Sequence, residues 1–358
     1  MGTVGACSYL DDPPVDRPQG AVMASTYSSA GPTPEPFDGE VFQILALDGG
    51  GAKALFTAHV LARIEEDLGV TITDHFDLIA GTSAGGIVAL GLGAGLRPAE
   101  IAEQYLQLVN QVFPRRRQFV LRPSRISNPA YSSSSLRTAL ESVLGDRVLA
   151  ESSKRLLIPS WDLRSGEVHL FKTPHSPRLT RDGRIPMVDV ALATSAAPTY
   201  FAAANVDGCQ LVDGGVFANN PSVLAIAEAA SMLGVPQDKI RVLNIGTMTP
   251  FVNHNDKLNT AGIARWGLKA VPLVLSAGSA STVGLAHHLI GFDNFVRLDA
   301  NVPSKLFALD RIDPNKVASF ASSVSRNLTP EVREKFTAHH APAYEPANRA
   351  AVPPNPNQ

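Results

Sequence analysis

Phe76-Asp-Leu-Ile-Ala-Gly-Thr-Ser-Ala-Gly85 is the stretch on which the fold turns. Phe76 to Ala80, apolar but for Asp77, reads as a short strand. Gly81-Thr82-Ser83-Ala84-Gly85 follows it and fits G-x-S-x-G, the strand-to-helix turn known as a nucleophile elbow. The requirement is steric: so sharp a turn needs glycine on either side, at Gly81 and Gly85, and it lifts the Ser83 hydroxyl to the end of the sheet. The uncharged stretch Ile79 to Leu96 is about long enough to span a bilayer. A glycine turn inside it would break a lipid-exposed helix, so it reads as a buried strand, turn and helix.

Working upstream, Val41-Phe-Gln-Ile-Leu-Ala-Leu47 reads as another buried strand, ended by Asp48-Gly49-Gly50-Gly51. A helix follows, with Leu61, Ile64 and Leu68 at helical spacing. Downstream, Pro98 opens a helix whose Ile101, Tyr105, Leu108 and Val112 share one face. Leu156–Trp161 and Val168–Phe171, joined through Arg164-Ser-Gly166, have the look of a hairpin. Leu211-Val212 leads into Asp213-Gly214-Gly215, then a helix from Ser222 and a strand over Arg241–Ile245. Helical patterns return over 261–290 and at Val317, Phe320, Ala321 and Val324. Strand and helix alternate, which predicts an α/β protein with a largely parallel sheet. Residues 1–40 are Pro-, Ser- and Gly-rich and read as a disordered lead in which Met23 could be the true start. A single domain is expected over 41–335, and 341–358 reads as a second disordered tail.

Composition narrows the function. Lys plus Arg is 31 against 33 for Asp plus Glu, a net charge of −2, with 44% apolar and 18% charged residues. That balance excludes a basic nucleic-acid coat, an acidic tail protein and a disordered chain. Cys7 and Cys209 are too few for a disulfide framework, and no Cys/His spacing reads as a zinc site. A reducing cytosol is the economical address. The first 20 residues hold Arg17 as their one basic residue and no apolar run, so no signal peptide is expected. Val4-Gly-Ala-Cys7 lacks the apolar stretch a lipoprotein box needs.

Three features carry chemistry. Asp48-Gly49-Gly50-Gly51-Ala52-Lys53-Ala54 satisfies G-x-G-x-x-A, a dinucleotide fingerprint, but the next strand ends in Gly81-Thr82-Ser83 where an acidic ribose ligand belongs. The same glycines at a helix start could form an anion-binding nest, an oxyanion hole; a purely structural turn is the plain alternative. Ser83 needs a base, for which Asp213 in its Asp-Gly-Gly turn competes with His287 and His288, which would suit the chain order of an α/β-hydrolase. From Gln104 to Leu140 no residue is acidic, while Arg115, Arg116, Arg117, Arg122, Arg125 and Arg137 are basic. Arg178, Arg181 and Arg184 form a second cluster. Solvated loops and a phosphate- or membrane-facing surface are the two readings.

Asp-Gly-Gly-Gly-x-Lys at 48–53, Gly-Thr-Ser-Ala-Gly at 81–85, Ala193-Thr-Ser-Ala-Ala-Pro-Thr-Tyr-Phe201 and Asp213-Gly-Gly215 stand in that order. The set resembles the patatin-like phospholipase family, bacterial branch, over roughly residues 42–330. The resemblance implies a three-layer α/β/α fold and a Ser–Asp dyad without histidine, which falls on Ser83 and Asp213. It implies an oxyanion hole at Gly49, Gly50 and Gly51, with Lys53, Gly81, Gly85, Gly214 and Gly215 in support. The family motif usually reads Gly-Gly-Gly-x-Arg-Gly; here Lys53 stands for the arginine and Ala54 for the last glycine, so charge is kept and the planar fork is lost.

The implied activity is hydrolysis of membrane phospholipid esters through an acyl-enzyme, with no metal or catalytic cofactor and transient contact with the membrane. Phe42–Asp48 together with Leu55–Glu65 is similar to a subgroup of these enzymes, the cyclic-nucleotide-activated effectors of anti-phage defence, held inactive until a cyclic dinucleotide such as cyclic GMP-AMP binds. The partners expected are therefore phospholipid and a cyclic dinucleotide, without a nucleic-acid polymer; a homo-oligomer is compatible. The alternatives are a constitutive lipase or lysophospholipase of lipid turnover and a nucleotide-binding module with a dead serine site. An NAD-dependent reductase lacks its ribose acid.

Overall fold

The strand β1 (Phe42–Leu47) is buried along its whole length, as an apolar run without alternation demands when both faces of a parallel sheet are covered. In this computed structural model the described residues are 34–113, 128–251, 263–303 and 309–347. Leu45 and Leu47 point into one core, Ile44 and Ala46 into the other, following the two-residue period of a strand. Gln43, polar and buried between them, donates to the carbonyls of His75 and Phe336, both at 2.9 Å.

Chain order continues as α1 (Ala54–Leu68), β2 (Leu78–Gly81), α2 (Ala84–Gly93), α3 (Pro98–Val112) and α4 (Ser133–Leu144). The hairpin β3 (Arg155–Asp162) and β4 (Glu167–Lys172) precedes α5 (Met187–Thr194), β5 (Ala204–Val206), β6 (Cys209–Asp213) and the single turn α6 (Gly215–Ala218). Then come α7 (Ser222–Met232), β7 (Ile240–Ile245), β8 (Thr249–Phe251), α8 (Ile263–Ile290), β9 (Phe295–Leu298), β10 (Asn301–Pro303) and α9 (Pro314–Phe336). Sheet order is β5-β6-β3-β2-β1-β7-β9, with β4 also on β3. β3, β2, β1, β7 and β9 run parallel, while β4, β5 and β6 are antiparallel additions. Helices α1 to α5 and α9 contribute to the core on one face, α7 and α8 to that on the other. This is the α/β protein that the alternation predicts, in the three-layer form that the resemblance implies, parallel in its centre and mixed at one side.

The charge-free run Ile79–Leu96 is indeed β2, the elbow and α2, buried nearly throughout. A second charge-free run, Ala270–Phe292, forms most of α8, and its Leu273–Ile290 window has a mean hydropathy of 1.3 with only 17% of it buried. Val283, Ala286 and Ile290 face the core, whereas Val274, Leu285, Leu289 and, one turn on, Phe292 stand exposed. The domain boundaries also shift. Lys239 Nζ donates to Gly39 O at 2.8 Å, so the packed body begins before residue 41. Ala341 N–H bonds Asp74 O and Ala347 N–H bonds Pro174 O, each at 2.8 Å, so the chain is still held at 341–347. Proline content marked the absence of helix and strand there, which is not the absence of contacts.

Candidate active site

Parallel strands β1 and β2 end side by side, at Leu47 opposite Gly81, and both key loops leave from that edge. At the elbow Ser83 holds φ 55° and ψ −124°, between β2 and α2. Gly85 is required because a Cβ there would sit 2.5 Å from Leu47 O and 2.6 Å from Asp48 O. The turn is tied on both sides: Thr82 Oγ1 donates to Ala218 O at 2.7 Å, and Ser83 N–H donates to Thr194 Oγ1 at 3.0 Å. Thr194 Oγ1 in turn donates to Pro159 O at 2.7 Å. Asp213 lies at the end of β6, opposite Ser160 of β3, with its N–H on Ala196 O at 3.1 Å.

Ser83 Oγ donates to Asp213 Oδ2 at 2.6 Å, and Gly215 N–H donates to the other oxygen, Oδ1, at 2.7 Å. Both side chains are nearly inaccessible, Ser83 9% and Asp213 5% exposed. Burial pushes the Asp213 carboxyl up to about 6, against the pull of the Ser83 and Gly215 hydrogen bonds. A carboxylate held near 6 is a better proton acceptor than an ordinary aspartate, which suits it to take the proton of an attacking hydroxyl. Among the described residues no histidine lines the cavity around Ser83, and His287 stacks on Phe292 at 4.4 Å and meets Phe295 edge-on at 4.9 Å.

The glycine loop divides by role. Gly49 N–H already donates to Asn219 O at 2.9 Å, so it has nothing to offer a substrate, contrary to the expectation for this residue. Gly50 and Gly51 both line the cavity beside Ser83, and neither N–H bonds an acceptor among the described residues. Gly51 takes φ 57°, and a Cβ there would collide with the carbonyl of Leu309. Its own carbonyl accepts from Tyr105 Oη at 2.9 Å, which fixes the tilt of the peptide. Beneath the loop, Asp48 accepts from Asn244 Nδ2 at 2.8 Å and Arg297 Nη1 at 2.9 Å, and Arg297 also reaches Asp299 at 2.7 Å. Lys53 belongs to this group: burial lowers its pKa, while Asp299 and Asp48 work the other way.

The cavity above the dyad has a volume of about 510 Å³. Its wall is apolar, from Ile87, Leu108 and Leu136 on one side to Val274 and Leu275 of α8 on the other. The Ala193–Phe201 stretch supplies Thr194 behind the elbow and Ala196 behind Asp213, then turns through Thr199 at φ 72° to line the cavity with Tyr200 and Phe201. Among the described residues no group of His, Cys, Asp and Glu is arranged to hold a metal ion.

Of the basic clusters, Arg115, Arg116, Arg117, Arg122 and Arg125 lie outside the described residues. Arg137 is paired with Asp189 at 2.6 Å and Arg181 with Asp182 at 2.8 Å; Arg178 and Arg184 are engaged as well. Sequence reasoning missed Tyr105, Thr194, Leu309 and the Asp48–Arg297–Asp299 group. The last had a signal: Arg297 and Asp299 alternate with apolar neighbours at the end of β9, so two charges share one face of a buried strand and need a counter-charge.

Residues 45–226 match the family model described as patatin-like phospholipase. The chain is 35% identical over 333 residues to the cGAMP-activated phospholipase of Vibrio cholerae, covering 84% of this chain and 92% of that one. It is 34% identical over 316 residues to the cGAMP-activated phospholipase of Pseudomonas aeruginosa, covering 84% and 93%. Among solved structures, VipD from Legionella pneumophila aligns with 12% identity and a TM-score of 0.44 over 82% of this chain and 67% of that one.

Proposed function

The chain belongs to the patatin-like phospholipase family, and on that premise we propose that it cleaves fatty-acyl esters of membrane phospholipid with Ser83 and Asp213, under the control of cyclic GMP-AMP. The observation that carries this reading is the 2.6 Å hydrogen bond from Ser83 to a buried carboxylate at the floor of an apolar cavity. Ser83 Oγ attacks the ester carbonyl as its proton passes to Asp213 Oδ2. The oxyanion receives the N–H groups of Gly50 and Gly51, each such donor being worth ~3 kcal/mol in other hydrolases. The leaving lysolipid alkoxide takes the proton back from Asp213. Water then enters, loses a proton to the same carboxylate and attacks the acyl-enzyme; Asp213 passes that proton to Ser83 Oγ as the fatty acid leaves, which restores the starting state.

Control by cyclic GMP-AMP is supported by the two cGAMP-activated relatives, to which the identity runs over most of each chain. A cyclic-nucleotide signal is intracellular, so this reading puts the protein in the cytoplasm, with transient contact to the membrane and the role of an antiviral effector. The exposed face of α8 is the membrane contact that suits it: Val274 and Leu275 line the cavity, and from Ala270 to Ile290 the helix carries no formal charge.

Fatty-acid release from phosphatidylglycerol and phosphatidylethanolamine liposomes, with Ser83→Ala as control, tests the reading. Serine-dependent release only with cyclic GMP-AMP is the expected result. Equal release without it would make the enzyme a constitutive lipase. Nucleotide binding without turnover would leave the binding module with an inactive serine site.

A further inference from the structure

Control of the kind just proposed needs a place for the nucleotide and a route from there to the reacting atoms. We propose that the cleft between the end of α3 and the start of α9 is the cyclic-dinucleotide site, and that it acts on the oxyanion loop through Leu309–Asp313. This rests on the functional reading above. The cleft is a second cavity, of about 330 Å³, with Val109, Asn110 and Phe113 on the α3 side and Arg311 and Asp313 on the other.

Its chemistry is mixed in the way a nucleotide is mixed. Arg311 is exposed and has no hydrogen-bond or ion-pair partner among the described residues, so its planar guanidinium is open to a phosphodiester. Val109 and Phe113 offer an apolar surface for a purine face. Asn110 supplies an amide and Asp313 a carboxylate, and a carboxylate accepts the adjacent N–H groups of a guanine edge. Asp313 Oδ1 is used by the N–H groups of Asn315 and Lys316, at 3.2 and 3.4 Å; among the described residues its Oδ2 has only Lys316 Nζ, at 3.9 Å. That carboxylate repels a ligand that is phosphate alone, and so favours a nucleotide over inorganic phosphate or a lipid headgroup. A cleft this size takes one nucleoside and its phosphate, with the second half of the ring lying across the open side.

The route is short. Phe113 lines both cavities. Leu309 O accepts from Ala52 N–H at 2.7 Å and lies against Gly51, two residues before Arg311. Between them Asp310 accepts from Tyr131 Oη at 2.6 Å, and the Tyr131 ring meets Phe113 edge-on at 4.8 Å. One segment thus has its first residue against the oxyanion loop and its third in the cleft. A ligand that draws in Arg311 moves the carbonyl that sets Ala52 and Gly51, and coupling of two sites through such a shared element is what regulation requires.

Equilibrium dialysis of the full chain with cyclic GMP-AMP, alongside liposome hydrolysis, tests the site with Arg311→Glu and the cleft-filling Asn110→Trp. Both positions are exposed, and melting temperature checks the fold of each variant. The expected result is binding weakened by about ten- to hundredfold, the range of one charge-assisted contact, with the activation midpoint shifted by the same factor and inorganic phosphate failing to compete. Wild-type affinity in both variants would overturn the site and leave the control itself intact. A wild-type chain that neither binds nor responds to cyclic GMP-AMP would overturn the control, and the site with it.

Discussion

Asp213 meets two opposed demands: as a base it must be charged, and as a buried side chain it is penalised for charge. With its carboxyl at about 6 rather than 3.8, kcat/KM should fall along a one-proton acidic limb centred near pH 6. A limb near 4 in the liposome assay would mean that burial does not govern this group. The same shift fixes the sign of its effect on folding. A carboxyl raised in the folded state favours that state below pH ~4, and the advantage is lost as pH rises through about 6. Asp213→Asn should therefore cut turnover by at least ~10³-fold yet raise the melting temperature at pH 8, by at most ~3 kcal/mol in stability. That gain should vanish by pH 4. Tyr105 acts at one remove, through the Gly51 carbonyl. Tyr105→Phe keeps the ring and frees that peptide, so kcat should fall by ~10-fold with KM unchanged; a loss confined to KM would assign Tyr105 to the cavity wall instead.

The glycine loop and α8 carry the predictions that belong to whole elements. Gly51→Ala puts a Cβ on a φ of 57° and against Leu309, which should cost ~1–3 kcal/mol of stability and most of the activity. Leu285→Glu and Phe292→Glu alter side chains that are 51% and 71% exposed. They should reduce co-sedimentation with liposomes several-fold while hydrolysis of a soluble short-chain ester stays the same. These elements also show what a sequence displays and what it hides. β1, β2, the elbow and the Asp213 turn are legible because their requirements are local: an apolar run, a glycine on either side of a serine, a strand ending in Asp-Gly-Gly. The outward apolar face of α8 is not, because Ala270–Phe292 is uncharged on every side and periodicity cannot tell its buried stripe from its bare one. The split between Gly49 and its two neighbours depends on Asn219, 170 positions away, and Leu309 reaches Ala52 across 257; neither contact leaves a mark on the residues themselves.

Across the whole molecule, reaction and anchorage occupy opposite ends of the sheet. The dyad sits where β1 and β2 end, while His339 bonds Asp77 at 2.8 Å and the Arg155 guanidinium covers the Tyr344 ring where β2 and β3 begin. Ending the chain after Thr337 should lower the melting temperature by several degrees without changing kcat; an equal loss of activity would tie this strap to the reaction. Ser83 and Asp213 make a different kind of statement about the chain. Ser83 holds a left-handed φ of 55° that costs a non-glycine residue ~1–3 kcal/mol, and Asp213 holds a charge in a dry interior. Ser83→Gly and Asp213→Asn each relieve one of these while leaving the cavity and the second cleft in place. Loss of catalysis therefore runs downhill in stability. In any lineage released from selection for hydrolysis, silent versions of this chain would fold better than the active one and accumulate.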